Sequence, residues 1–123
     1  MPGSLHVLLA EDEDLVALVV AEILEGDGFR VTVARNGVEA VEADAGDPAD
    51  ILITDMRMPV MDGAALIRSI REHRPDLPIT VVSGFSEDLP LPEPGHLVVM
   101  RKPYDTAAMA PTISALLSGR AGA

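Results

Sequence analysis

The sequence predicts a small α/β domain in which parallel strands alternate with helices, and three observations lead there. Short apolar, strand-like runs alternate with helix-like segments along the chain. The first of these runs is apolar at nearly every position, as a strand buried on both faces requires. The chain is 48% hydrophobic but only 2% aromatic (Phe29, Phe85 and Tyr104), so its core must be built from Val, Ile, Leu, Ala and Met, a palette that suits this class. At 123 residues one domain is expected, with its core between about residues 5 and 117 and no room for a second.

The elements follow in order. Leu5 to Ala10 reads as the first strand. Asp14 to about Glu25 reads as a helix with Val16, Val19, Val20 and Ile23 on one face, stopped by Gly26 and Gly28. Arg30 to Ala34 is the second strand. Asn36-Gly37 then opens a weaker helix through Val38 and Val41, which fades into the turn-forming Gly46, Asp47 and Pro48. Ile51 to Thr54 is the third strand, and Asp62 can cap a helix carrying Leu66, Ile67 and Ile70 that must end before Pro75. The fourth strand runs to Ser83 from Pro78 or Ile79. From Phe85 to His96 the rhythm fails, because Pro90, Pro92 and Pro94 leave room for one helical turn at most. His96 to Met100 is the fifth strand, and Thr106 caps a last helix with Met109, Ile113, Leu116 and Leu117 facing inward.

Twenty acids against nine bases give a net charge of −11, which disfavours nucleic acid and anionic membrane surfaces as direct partners. The absence of cysteine excludes disulfides, thiolate metal sites and thiol catalysis. Glu22 and Glu25 interrupt the longest apolar stretch, so no segment reaches the ~18 residues needed to span a bilayer. With no secretory leader evident either, a cytoplasmic location is expected.

Three strand-like runs end in charge. The first runs into Glu11 and Asp12, the third into Asp55, and the fifth into Arg101, Lys102 and Pro103. If these strands are parallel neighbours, their carboxyl ends bring three carboxylates and an ammonium to one edge of the sheet. Carboxylates that close repel by roughly 4 kcal/mol per pair at ~4 Å and an effective dielectric of ~20, so a divalent cation is the natural neutraliser. Simple helix capping could account for the acids after the first strand, and it suits Glu13 and Asp14. Glu11 and Asp12, set against a second strand's acid, read instead as metal ligands. Asp55, at the end of a buried strand and facing a cation, is placed to attack phosphorus as an oxygen nucleophile. Ser83, followed by Gly84, could donate to a phosphoryl oxygen, and Lys102 could pair first with Asp55 and then with phosphate. Each of the two has a plain alternative, a turn serine and a solvated lysine.

Together, Glu11-Asp12, the loop Asp55-Met56-Arg57-Met58-Pro59 leading to Asp62-Gly63, Ser83-Gly84 and Lys102-Pro103 resemble the receiver domain of bacterial two-component response regulators. Asn36-Gly37 followed by Glu39-Ala40 is similar to that family's usual opening of its second helix. The resemblance implies a three-layer, doubly wound, flavodoxin-like fold with a five-stranded parallel sheet of order 2-1-3-4-5. It also implies Mg²⁺-dependent transfer of a phosphoryl group to Asp55 from a histidine kinase or phosphotransfer protein. Asp12, Asp55 and the backbone carbonyl of Arg57 would ligate the metal, with Glu11 assisting through water, while Ser83 and Lys102 would hold the phosphoryl oxygens. Such a domain is a phosphoacceptor that catalyses only its own phosphorylation and dephosphorylation, switching a surface for a downstream protein.

Two departures stand out. Val99 occupies the position, three residues before the lysine, where the family usually has Tyr or Phe, so signalling through a swinging ring is not expected. The proline series shortens the fourth helix, as in some stand-alone and hybrid-kinase receivers with a pair like Gly84-Phe85, and residues 84 to 95 are the segment expected to order on activation. Other functions fit less well. A haloacid-dehalogenase-type phosphatase needs a second acid two residues after its nucleophile, where this chain has Arg57. A flavin or nucleotide module would want a glycine-rich loop where Glu11 to Asp14 stand. A binding-only pseudo-receiver would fold correctly and fail to take phosphate.

Overall fold

The computed structural model describes residues 5–83 and 97–101, with Ser83 and Arg101 described through the backbone alone. Five strands and three helices alternate in it: β1 (His6–Ala10), α1 (Asp14–Gly26), β2 (Arg30–Ala34), α2 (Gly37–Gly46), β3 (Ile51–Asp55), α3 (Gly63–His73), β4 (Ile79–Ser83) and β5 (Leu97–Arg101). The strands form one parallel sheet of order β2-β1-β3-β4-β5, the expected 2-1-3-4-5. The proline-rich segment and the expected short fourth helix, last helix and Lys102-Pro103 turn lie outside the described residues.

Strand alternation divides the core in two. Leu8, Ala10, Leu52, Ile79 and Val81 pack with Ala40 of α2 and with Leu66, Ile67 and Ile70 of α3. Val7, Leu9, Ile51, Ile53 and Val82 pack with Ala17, Val20 and Leu24 of α1. Helices therefore cover both faces, which is why β1 and β3 are buried at every position and read as largely apolar runs. Fully burying side chains such as Leu8, Leu52 and Ile53 stabilises the fold by about 1.5–3 kcal/mol each.

Local signals start the helices where expected. The Asn36 side chain accepts from the Glu39 amide at 3.0 Å, and the Asp62 side chain accepts from the Ala65 amide at 2.9 Å. At the opening of α1 the expectation needs correction. Glu13 holds the cap position without a side-chain capping bond, and Asp14 instead pairs with Arg35 at 3.2 Å. The inward face of α1 also differs: Ala17, Val20 and Leu24 are buried, whereas Val19 is 52% exposed. Apolar residues surround this helix, so their spacing leaves its rotation open, and packing against β1 and β3 decides it. Val38 of α2 is likewise exposed, while Asp44 is buried in its place because Arg74 and the Ala49 amide satisfy its carboxylate at 2.6 and 2.9 Å.

Candidate metal and phosphoacceptor site

The sheet register builds the site. Ala10 lies beside Ala34 on one side and Thr54 on the other, so Glu11 leaves β1 level with Asp55 at the end of β3. The Glu11 amide donates to the Ala34 carbonyl at 2.9 Å, which extends the pairing one residue past the strand. Asp55 pairs with Val82, and Ser83 with Arg101, so the backbones of Ser83 and of the residue before Lys102 end at the same edge. The Ser83 side chain and Lys102 lie outside the described residues.

Glu11, Asp12 and Asp55 each offer a carboxylate oxygen, and the three oxygens lie within 4.8 Å of one another. Glu11 and Asp55 are buried, and Asp12 is exposed. That combination leaves two fixed acids and one reachable from solvent. Backbone donors orient the buried pair: the Glu13 amide reaches Glu11 Oε2 at 3.1 Å, and the Arg57 amide reaches Asp55 Oδ1 at 3.3 Å. Two ligands on opposite sides of a small hard cation sit about 4.2 Å apart, so oxygen donors at this mutual spacing could hold a divalent ion. Arg57, whose carbonyl is the expected contributor, is exposed, and its amide lies 3.3 Å from Asp55 Oδ1.

The loop after β3 is shaped by two glycines. A Cβ on Gly63 would run into the Asp55 carbonyl and the Met56 Cα, so only glycine lets α3 begin this close to the acid. The Gly63 amide donates to the Met56 carbonyl at 3.0 Å, folding the loop back on itself. Within it the Met61 amide donates to the Pro59 carbonyl at 2.7 Å, a γ-turn that holds Val60 at φ 68°. Such a conformation costs a β-branched residue of order 1–3 kcal/mol and persists only when its surroundings impose it. Part of that constraint comes from Gly37, whose amide donates to the Met61 carbonyl at 2.9 Å and which meets the Met61 side chain where its own would be. Sequence reading missed this clip, since nothing local connects residue 37 with residue 61. Val99, three residues before Lys102, is half-buried and packs against the core on the α2 and α3 side.

Comparison with known proteins agrees with this geometry. The family model of the response regulator receiver domain matches residues 7–109. The chain is 37% identical over 122 residues to the sensor kinase CckA of Brucella abortus, covering 95% of this chain and 13% of that protein. It is 36% identical over 102 residues to the response regulator receiver protein CpdR of the same organism, covering 80% of this chain and 85% of that one. Among solved structures, a response regulator receiver protein from Sinorhizobium medicae superposes with a TM-score of 0.82 at 30% identity, covering 95% of this chain and 97% of the other. The chain thus spans a small part of the kinase and most of the two receiver proteins. On its strand order, its acidic cluster and this match along most of its length, the chain belongs to the response regulator receiver domain family.

Proposed function

We propose that this domain takes a phosphoryl group on Asp55, in a Mg²⁺-dependent reaction, from the histidine of a sensor kinase or phosphotransfer protein, and that the acyl phosphate switches a protein-binding surface. The observation that carries the reading is the meeting of Glu11, Asp12 and Asp55 oxygens at the carboxyl edge of the sheet. Asp55 supplies the nucleophile: an oxygen attacks phosphorus as the bond from phosphorus to the donor's imidazole nitrogen breaks, leaving a mixed anhydride. The Arg57 amide, which already donates to Asp55 Oδ1, holds the carboxylate in a fixed orientation. Asp12, Asp55 and the Arg57 carbonyl would hold the cation, with Glu11 in support, and a bound Mg²⁺ would offset the charge of the incoming phosphoryl oxygens. Ser83 and Lys102 are the groups proposed to receive those oxygens once the bond has formed.

The relationship to a sensor kinase and to a receiver protein supports a phosphorelay role. The domain acts on itself, taking and losing its own phosphate, and is not a turnover enzyme. A cytoplasmic setting fits this chemistry, and no described helix is long and apolar enough to cross a membrane.

Metal linkage tests the site. A cation that binds only the folded chain raises its melting temperature by mass action. Millimolar Mg²⁺ is expected to raise the melting temperature of the wild type and to have little effect on Asp12→Ala. Equal shifts in the two proteins, or none in either, would refute the assignment.

A further inference from the structure

Asn36-Gly37 is the sequence pair most prone to spontaneous deamidation, because a glycine amide meets little steric hindrance when it attacks the neighbouring side chain. In that reaction the Gly37 nitrogen loses its proton and bonds to the Asn36 side-chain carbonyl carbon, ammonia leaves, and water opens the resulting succinimide to aspartate or isoaspartate. Here both reacting groups are engaged. The Gly37 amide donates to the Met61 carbonyl at 2.9 Å, and the Asn36 side-chain oxygen Oδ1 accepts from the Glu39 amide at 3.0 Å. Gly37 is buried, Asn36 is half-buried with an extended backbone (φ −159°, ψ 176°), and the Met61 side chain lies over Gly37. Ring closure requires the nitrogen to leave the Met61 carbonyl and turn onto the side chain.

We propose that Asn36-Gly37 is a site of covalent ageing whose deamidation rate is set by detachment of the 56–62 loop from α2. The two products differ in consequence. Aspartate keeps the cap acceptor and adds negative charge at a helix amino terminus, where it is favoured. Isoaspartate places an extra carbon in the main chain between residues 36 and 37, which moves the Gly37 amide off the Met61 carbonyl and releases one support of the strained turn at Val60. The loop so released is the one that begins beside Asp55.

The test compares the folded chain with a synthetic peptide of residues 32–41 in one mildly alkaline buffer, using peptide mapping to follow aspartate and isoaspartate at position 36. Amide exchange of Gly37 is measured in parallel. The folded chain is expected to react slower than the peptide by roughly tenfold or more, and the slowing should match the exchange protection of Gly37 within about threefold, since one local opening governs both. Met61→Gly, which strips the side chain from Gly37, should speed deamidation and lower Gly37 protection by the same factor. Deamidation as fast in the folded chain as in the peptide would overturn the proposal, and so would slowing far out of proportion to Gly37 protection. The wild-type comparison decides the matter alone if Met61→Gly does not fold.

Discussion

The two edges of this sheet arrange their acids differently. At the amino-terminal edge Asp47 and Asp50 are partnered: Asp47 is bidentate with Arg30 at 2.6 and 3.2 Å, and Asp50 exchanges backbone and carboxylate bonds with His6 at 2.7 Å. The buried His6 ring spans the same edge, its Nδ1–H donating to the Pro48 carbonyl at 3.1 Å and its Nε2 meeting the Thr32 hydroxyl at 2.7 Å. On the same side of the domain, Asp44 reaches Arg74. At the carboxyl-terminal edge Glu11 and Asp55 accept from the Glu13 and Arg57 amides, and with Asp12 they also bring three carboxylate oxygens within 4.8 Å of one another. Acids at the first edge fasten strands and loops together, so removing one should weaken the fold. At the second the acids also crowd one another, and removing the exposed Asp12 should relieve the fold while disabling the site.

The largest effect on stability belongs to Asp44. Asp44→Ala leaves the Arg74 guanidinium and the Ala49 amide without their acceptor, and breaking this partly buried pair costs about 2 kcal/mol. Urea unfolding would measure it, and an unchanged midpoint would show that this pair is not structural. At the other edge the sign should reverse. Without divalent metal, Asp12→Asn is expected to stabilise the fold by about 0.5–1 kcal/mol, a small gain because Asp12 is exposed. Destabilisation of that variant in the presence of chelator would break the contrast.

The smallest effect is one of pH. Hydrogen bonding to Arg30, aided by its charge and by His6, holds the Asp47 carboxyl below its ordinary 3.8. A depressed acid contributes stability that is present above its unfolded value and is lost as pH falls through the folded one. Asp47→Asn should therefore cost a little stability at neutral pH, converge with the wild type below about pH 4, and so flatten part of the stability loss in acid. Both side chains are half-exposed, so the change is a small one, and identical acid unfolding curves would show that the ion pair contributes nothing.

Most of the architecture was legible because this fold writes itself in local signals. Strands buried on both faces become continuous apolar runs, and Asn36 and Asp62 mark the helix starts they cap. The acidic cluster was legible for a related reason: when parallel strands end together, their terminal residues share an edge wherever they fall in the chain, which brings Glu11 and Asp12 to Asp55. What the sequence hid depends on distant partners. The rotation of α1, the burial of Asp44 against Arg74 and the grip of Gly37 on Met61 are all decided by residues far along the chain.

Phosphate incorporation tests the central claim most directly. Wild type and Asp55→Asn would each be incubated with a small phosphodonor and Mg²⁺, then measured by intact mass with the modified peptide mapped. The account predicts a single phosphate on the wild type, located on Asp55, and none on Asp55→Asn. A phosphate on the variant, or a wild type that folds, binds Mg²⁺ and takes up none, would contradict it.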